Sequence, residues 1–385
     1  MSAERLEIAS PHADIENGVE RRPLEYFITR PSAGMDTDTG LIFTICGYGQ
    51  SPIQEYWKDK LPPYLADTHN CVVVAVNYFG CTAKAAINPR PFPDFFAKLK
   101  EQYGLEIEAP PGTDVSRLLA ETCTALAAAG ITELDENYML LDDNADEYPS
   151  FGFLPALDHL QVLGEVLKTH AINKKRLYVL GTSYGGYIGL LMGKLAPNTF
   201  RMIVDNSGFT KITGSVYGIN DMSRPARLNV LGVSIQVLEK GMWSTDPESP
   251  HFLNSHHAMI RDLATPGHMQ ASNTHYYCYH PIGDTVAPTE EKIQFQNLAD
   301  GLMTVSLTLI DEAALDGRIF KTLDHGMNAS MRGLFDMAYG AYMESTPAPD
   351  ATTDFDLESS LRFDCGEKAY SVEYSAGGDI TARLI

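Results

Sequence analysis

The chain has 385 residues, which is longer than an average domain and fits one large α/β domain with insertions. Its 29 Lys and Arg residues are outnumbered by 50 Asp and Glu residues, and the net charge of −21 repels nucleic-acid phosphates and anionic lipid surfaces. No signal-peptide segment opens the chain and no stretch approaches the roughly eighteen apolar residues of a membrane span, so we expect a cytoplasmic protein without nucleic-acid or membrane partners.

Seven short apolar runs, each ending in turn residues, predict strands. Most are apolar without alternation, as expected for a parallel sheet that is covered on both faces. In chain order the runs read "PLEYFITRP", "GLIFTICGYG", "CVVVAVNYFG", "RLYVLGTS", "RMIVDNSG", "HYYCYHPIGD" and "TVSLTLIDE". Because helical patterns lie between them, residues 1–345 are predicted to form a doubly wound α/β domain with a mostly parallel sheet.

The clearest helix pattern is "PALDHLQVLGEVLKTH", in which Pro155 suits a first helical turn and leucines recur every three or four residues. Two other segments, at about 81–150 and 209–270, are too long for simple connections. We interpret them as insertions that form lids or caps.

The tail, residues 346–385, begins as a linker, "TPAPDATTD". It continues as three short β-like pieces, "SLRFDC", "AYSVEYS" and "DITARLI", which are separated by glycine-containing turns. The tail is therefore predicted to be a linker followed by a small β appendage.

The stretch "YVLGTSYGGYIG" places Ser183 between a predicted strand and a predicted helix. Gly181, Ser183 and Gly185 fit the pattern G-x-S-x-G, in which the serine occupies a strained turn and the strand and helix backbones nearly touch. The alternative is a tight glycine-lined turn with an idle serine. A nucleotide-binding loop is not indicated, because neither G-x-G-x-x-G nor G-x-x-x-x-G-K-[ST] is present. Ser183 is therefore a candidate nucleophile.

A serine hydroxyl needs a base, normally a histidine. His325 follows the last predicted strand of the domain and precedes a helix-like segment, so we expect it in a loop at the carboxyl end of the sheet. A carboxylate must orient this histidine. We assign that role to Asp284, in a turn after an aromatic strand, and Asp205, at the end of the strand after Ser183, is the alternative.

Acyl transfer also needs two amide donors for the oxyanion that develops on the substrate. One is predicted to be the N–H of Tyr184, directly after the nucleophile. The other is expected in the loop after an early central strand, where "CGYGQ" offers Gly47, Tyr48 and Gly49, and we assign it to Tyr48.

No cofactor or metal ion is predicted. The six cysteines are scattered without a CxxC pair, which indicates neither a disulfide framework nor a zinc site. His256 and His257 are neighbours on a predicted helix, where adjacent side chains diverge by about 100°. We interpret them as part of a solvated helix face rather than as metal ligands.

With these residues in view, the chain resembles the α/β-hydrolase superfamily over about residues 24–345, through "CGYG", "GTSYGG", "IGD" and "DHG" in the family's order. It is most similar to the prolyl-oligopeptidase and dienelactone-hydrolase side of the superfamily. The segment "GDTVAP" of this chain resembles the acid loop of that group. The whole chain, tail included, also resembles an uncharacterised bacterial family, some of whose members lie among surface-sugar genes. The resemblance implies about eight strands, helices on both faces and the insertions as caps. Cys46 departs from the family, whose oxyanion motif usually begins H-G.

These features predict a serine hydrolase that cleaves a carboxylic ester through an acyl-enzyme, with Ser183, His325 and Asp284 as a catalytic triad. The expected partner is a small-molecule ester or an acylated sugar, for example an acetyl ester. Three alternatives stay open: an amidase or peptidase, an acyltransferase with the same triad, and a non-catalytic binding module on a hydrolase scaffold. The sequence makes no prediction of the oligomeric state.

Overall fold

The computed structural model describes most of the chain. The described residues are 3–81, 88–91, 94–108, 115–142, 147–211, 226–240, 242–244, 247–345 and 351–385. They form two compact units. The first contains Met1–Thr82, Ser150–Ile212 and Ser255–Ile385, and the second contains Ala83–Pro149 and Thr213–Asn254.

The strands and helices are numbered in chain order. The strands are β1 (Glu4–Ile8), β2 (Leu24–Thr29), β3 (Gly40–Ile45), β4 (Cys71–Asn77), β5 (Asn88–Pro91), β6 (Glu133–Asp142), β7 (Leu177–Thr182), β8 (Met202–Asn206), β9 (Ala226–Val230), β10 (Val233–Lys240), β11 (His275–Pro281), β12 (Thr304–Ile310), β13 (Ser360–Cys365), β14 (Lys368–Tyr374) and β15 (Ile380–Leu384). The helices are α1 (Leu61–His69), α2 (Phe95–Tyr103), α3 (Val115–Ala128), α4 (Phe153–Thr169), α5 (Tyr184–Leu195), α6 (Ser255–Arg261), α7 (Thr289–Ala299) and α8 (Met331–Ser345).

The first unit is built on an eight-stranded sheet in the order β1-β2-β4-β3-β7-β8-β11-β12. The six strands from β4 to β12 in this order run parallel, and β1 and β2 add antiparallel pairings at one edge. The large, mostly parallel sheet predicted from the sequence is therefore confirmed. β1 was not predicted, because it is a short edge strand whose side chains are largely exposed.

Helices cover this sheet and explain its apolar strands. α5 packs against β7 and β8, and α4 packs against α5. α1 packs against β4, α8 packs against β8, and these two helices contact each other. β3, β4 and β8 are buried along nearly their whole length, which accounts for apolar runs without alternation. β12 lies at the other edge of the sheet and is partly exposed.

The second unit contains a four-stranded sheet in the order β5-β6-β10-β9. The segments interpreted as insertions supply it, although residues from Ser255 onward belong to the first unit. Its strands were not predicted, since β5 contains two prolines and charged residues interrupt the apolar pattern of β6. Its core consists of Phe95, Leu99, Leu119, Cys123, Leu126, Leu134, Val233 and Ile235.

The tail forms a three-stranded antiparallel sheet in the order β13-β14-β15, as predicted. It belongs to the first compact unit. The buried carboxylate of Asp354 accepts hydrogen bonds from the Asn198 amide (2.9 Å) and the Thr199 hydroxyl (2.8 Å). The Tyr374 hydroxyl donates to the Leu195 carbonyl at 2.7 Å. These contacts fix the tail to the end of α5 and to the loop that follows it.

Within the described part of the chain, none of the helices combines the length and the apolarity that crossing a membrane requires.

Candidate active site

Ser183 lies in a strained turn between β7 and α5. Its backbone angles are φ 54° and ψ −121°, a left-handed conformation that residues other than glycine rarely adopt. Its amide donates to the Asn206 carbonyl at 2.7 Å, which ties the turn to the end of β8. A strained backbone held by its neighbours in this way is typical of functional positions.

The glycines around Ser183 are required by the close approach of strand and helix. A Cβ on Gly181 would lie within 3.0 Å of the Gly185 carbonyl oxygen, and a Cβ on Gly185 would lie within 3.0 Å of the Ile45 carbonyl oxygen in β3. Real Cβ atoms do not approach other atoms so closely. The spacing G-x-S-x-G is therefore a packing requirement of the strand–turn–helix unit.

The structure brings Ser183, His325 and Asp284 together. Nε2 of His325 lies 2.7 Å from the Ser183 hydroxyl, and Nδ1 of the same ring lies 2.8 Å from Oδ2 of Asp284. The three residues follow the carboxyl ends of β7, β12 and β11, which lie at one edge of the parallel sheet. Three side chains from distant parts of the chain thus form one continuous series of hydrogen bonds.

Asp284 is held as a buried carboxylate. Its side chain is fully buried, while 19% of the His325 side chain is exposed. Its Oδ1 accepts hydrogen bonds from the amides of Val286 (2.8 Å) and Ala287 (3.0 Å). Burial alone would raise the pKa of Asp284, but the contact with His325 and these two amides hold it below its usual value. The carboxylate is therefore ionised at neutral pH and can orient the imidazole.

Asp205, the alternative acid, has other partners. Its Oδ2 accepts a hydrogen bond from Nζ of Lys292 at 2.6 Å, and its Oδ1 accepts one from the Gly208 amide at 2.8 Å. The Asp205 and Lys292 side chains are both buried. Asp205 thus neutralises a buried lysine and fixes the turn after β8.

The predicted oxyanion donors both lie next to Ser183 in the fold. Tyr184 is the first residue of α5, and the rings of Tyr48 and Tyr184 meet edge to face with centroids 5.6 Å apart. A Cβ on Gly47 would lie 3.4 Å from the Ser183 Cβ, so the loop after β3 passes beside the serine. The Gly47 amide donates to the Gln50 side chain at 3.1 Å. The assignment of the second donor to Tyr48 stays a prediction.

Sequence reasoning missed two side chains that connect the serine turn to the histidine loop. Nδ2 of Asn206 donates to the Thr182 hydroxyl (3.0 Å) and to the Gly326 carbonyl (3.1 Å). The Ser207 hydroxyl accepts a hydrogen bond from the Gly326 amide at 3.2 Å. Both residues lie in "DNSG" at the end of β8, and polar residues at the carboxyl end of a buried strand were the available signal.

The interpretation of His256 and His257 as a solvated face is wrong. Their exposures are only 8% and 6%. The reason is that α6 packs against β13 and β14, so the tail covers a helix face that the sequence alone leaves open. Among the described residues, no group of three or more His, Cys, Asp or Glu side chains is arranged to hold a metal ion.

A cavity of about 730 Å³ opens beside Ser183 and His325. Its described lining comes from the loop after β3 and the turn that follows it, the ends of β7 and β8, and residues 321–332 around His325. Tyr56 and Trp57 contribute aromatic surface. The site therefore combines a hydrogen-bonded serine with space for a small ligand.

The parallel sheet with its antiparallel edge, and the serine in a strained turn after a central strand, define an α/β-hydrolase fold. The chain belongs to the family described as "Protein of unknown function (DUF2920)", whose model matches residues 4–377. No curated protein matches the sequence.

Solved structures that are similar to this chain include two peptidases and Est1E. The acylaminoacyl peptidase of Pyrococcus horikoshii is 12% identical, with 89% of this chain and 41% of that chain covered and a TM-score of 0.44. Est1E from Butyrivibrio proteoclasticus with bound ferulic acid is 10% identical, with 87% and 98% covered and a TM-score of 0.44. A puromycin-hydrolyzing peptidase of Mycobacterium tuberculosis is 11% identical, with 89% and 40% covered and a TM-score of 0.49. This chain spans about two fifths of the length of each peptidase.

Proposed function

We propose that this protein is a serine hydrolase that cleaves a carboxylic ester through an acyl-enzyme. The observation that carries the proposal is the series of hydrogen bonds from Ser183 through His325 to Asp284, with distances of 2.7 and 2.8 Å. An idle serine in a glycine-lined turn needs neither a histidine at its hydroxyl nor a buried carboxylate behind that histidine. The proposed substrates are small-molecule esters or acylated sugars.

In the proposed mechanism, Nε2 of His325 accepts the proton of the Ser183 hydroxyl as the oxygen attacks the acyl carbon. Nδ1–H donates to Asp284, which fixes the tautomer and stabilises the imidazolium that forms. The imidazolium then protonates the departing alcohol, and an acyl-enzyme remains. The same histidine removes a proton from water, and the hydroxide attacks the acyl carbon. The imidazolium returns this proton to the Ser183 oxygen as its bond to the acyl carbon breaks and the acid is released.

The amides of Tyr184 and Tyr48 are the proposed donors to the oxyanion. The position of Tyr184 at the start of α5 supports its role, since the N-terminus of a helix is the positive end of its dipole and favours a developing negative charge. The closeness of Gly47 to Ser183 supports a donor in the loop after β3. Removing one such donor lowers turnover by about 10²–10³-fold in a serine protease.

Ester cleavage is proposed over amide cleavage because an alcohol is a better leaving group than an amine. A serine and histidine that cleave an amide are therefore able to cleave the corresponding ester, whereas the reverse does not hold.

The test is a set of matched 4-nitrophenyl esters and 4-nitroanilides of the same acyl groups, assayed with wild type, Ser183→Ala and His325→Ala. We expect ester turnover by wild type, and losses of several orders of magnitude in both variants. Ester turnover that persists in folded Ser183→Ala would contradict the proposal. Anilide cleavage at a comparable rate would identify an amidase, and diversion of the acyl group to added alcohols or sugars would identify an acyltransferase.

A further inference from the structure

The cavity beside Ser183 has a cationic wall. Lys60, Lys321 and Arg332 line it, and none of its described lining residues is Asp or Glu. The chain as a whole carries 50 Asp and Glu against 29 Lys and Arg, so this wall runs against the overall composition. Charges of one sign in a concave site concentrate their potential on whatever enters it.

Arg332 is held in place by contacts that do not neutralise it. One of its terminal nitrogens, Nη2, donates to the Lys60 carbonyl at 2.5 Å, and its guanidinium carbon lies 4.8 Å from the centre of the Tyr64 ring. Its Nε is buried without a hydrogen-bond partner among the described residues. Asp336, one turn further along α8, instead accepts hydrogen bonds from Tyr64 (2.6 Å) and lies 2.8 Å from Nε2 of His69.

Helix stability does not explain the position of Arg332. It is the second residue of α8, where the positive end of the helix dipole disfavours a cation. A guanidinium that is fixed at an unfavourable position and faces a cavity is suited to binding a carboxylate or phosphate through a charge-assisted hydrogen bond.

The two lysines can supply further charge. Lys321 is exposed and lies four residues before His325, in the same loop. Nζ of Lys60 lies 3.1 Å from the Glu55 carboxylate, but the two side chains are 55% and 74% exposed. Such an exposed pair is weak, so a bound anion can compete for the lysine.

We propose that the substrate of this site is an anionic ester, whose carboxylate or phosphate group is bound by Arg332 and Lys321 while its acyl carbon lies at Ser183. Tyr56 and Trp57, which also line the cavity, provide surface for the uncharged part of the molecule. This inference rests on the proposed ester hydrolase and adds the charge of its substrate.

The test compares anionic esters with neutral counterparts. Mono-4-nitrophenyl glutarate against 4-nitrophenyl pentanoate places a carboxylate on the acyl side. A second set places the charge on the alcohol side. It compares 4-acetoxybenzoate, which carries a carboxylate, and 4-acetoxyphenyl phosphate, which carries a phosphate, with the neutral methyl 4-acetoxybenzoate. The variants are Arg332→Gln and Lys321→Gln, with Arg318→Gln as the control, because Arg318 is an exposed cation in the same segment that does not line the cavity.

For at least one pair we expect wild type to prefer the anionic ester in kcat/KM. Arg332→Gln should reduce that preference about tenfold or more, in keeping with loss of a charge-assisted hydrogen bond. Lys321→Gln should reduce it less, and Arg318→Gln should leave it unchanged. The absence of any preference in wild type, or the same preference in Arg332→Gln and Lys321→Gln as in wild type, would overturn the inference.

A binding measurement separates this inference from the proposed function. Calorimetry with the three anionic esters on Ser183→Ala does not depend on turnover. Adding Arg332→Gln to that variant should weaken binding of the preferred ester about tenfold. If wild type fails to turn over any ester but the two variants still differ in binding, the proposed hydrolase is refuted and the anion site stands. Binding that is equal in the two variants, or absent from both, would refute the anion site.

Discussion

Asp284 and Asp205 show how the partners of a carboxylate decide its role. Asp284 follows β11 and Asp205 lies near the end of β8, and both side chains are buried. Asp284 contacts the imidazole of His325, whose other nitrogen is at the Ser183 hydroxyl. Asp205 contacts the buried ammonium group of Lys292 instead. Replacement of each by its amide should therefore have different consequences.

We expect Asp284→Asn to remain folded and to lose about 10⁴-fold in turnover, the loss seen when the corresponding aspartate of a serine protease is replaced. Asp205→Asn should leave Lys292 buried without a carboxylate and lower the free energy of unfolding by about 3–5 kcal/mol, with a much smaller loss of turnover. Ester assays at saturating substrate and urea denaturation measure the two effects. The opposite ranking in two folded variants would assign the catalytic acid to Asp205.

The three residues of the proposed triad could be chosen from the sequence because each stands in a local pattern. Ser183 has glycines at fixed spacing, and His325 and Asp284 stand in loops after predicted strands. Arg332 could not be found in this way, and the pattern at the end of β8 indicates the position of Asn206 but not its partner. Asn206 contributes by contacting the histidine loop, and Arg332 by facing the cavity beside Ser183. Both contacts depend on how segments that are remote in the sequence pack together.

At the scale of elements, the site depends on the contact of β7 and α5 with β3. Gly185 occupies this contact, since a Cβ there would overlap the carbonyl oxygen of Ile45 and lie 2.5 Å from that of Cys46. These are backbone atoms of β3 and of the residue directly after it, and they cannot move aside as a flexible side chain could. If these carbonyl groups were displaced, the loop after β3, which contains Gly47, would have to move as well.

Gly185→Ala should therefore abolish ester turnover and lower the melting temperature. Gly340→Ala is the matched control, because Gly340 lies within α8 and a Cβ there meets nothing within 4 Å. Alanine at that position should raise the free energy of unfolding by up to about 1 kcal/mol through its higher helix propensity. Thermal melts and ester assays on both variants test this contrast, and wild-type turnover by Gly185→Ala would show that the helix does not approach β3 so closely.

The elements of the first unit were more readable than those of the second. Buried parallel strands produce continuous apolar runs, so β3, β4, β7, β8 and β11 stand out in the sequence. The strands of the second unit lack this signal, because prolines and charges interrupt it. The tail sheet was predicted from its short β pieces, but its packing against α6 was not, since nothing local to α6 indicates that partner.

At the scale of the whole molecule, Asp158 links the N-terminal segment to α4. It accepts hydrogen bonds from Nη2 of Arg21 at 2.8 and 2.9 Å and from the Phe79 amide at 2.8 Å, and Nε2 of His12 lies 2.9 Å away. Burial alone would raise the pKa of Asp158, but the charge of Arg21 and the contact with His12 hold it well below its usual value. This stabilisation is therefore present at neutral pH and is lost as the pH falls below about 4, the usual value in an unfolded chain.

We expect Asp158→Asn to lower the free energy of unfolding by about 3–5 kcal/mol at pH 7, because it leaves Arg21 buried without a carboxylate. The difference from wild type should shrink by about 1 kcal/mol between pH 7 and pH 3. Asp379→Asn is the control, since Asp379 pairs with Lys168 at the surface and its loss should cost less than about 1 kcal/mol. Urea denaturation at both pH values measures these changes. A pH-independent difference for Asp158→Asn would contradict the assigned cause.

The proposed function as a whole depends on Ser183 being a nucleophile that His325 activates. A fluorophosphonate reacts covalently with such a serine, and mass spectrometry of the intact protein and of its peptides locates the adduct. We expect one phosphonyl group on wild type, in the peptide that contains Ser183, slower labelling of His325→Ala, and none of Ser183→Ala. A folded wild-type protein that gains no adduct, or an adduct that forms equally on Ser183→Ala, would contradict the proposed nucleophile.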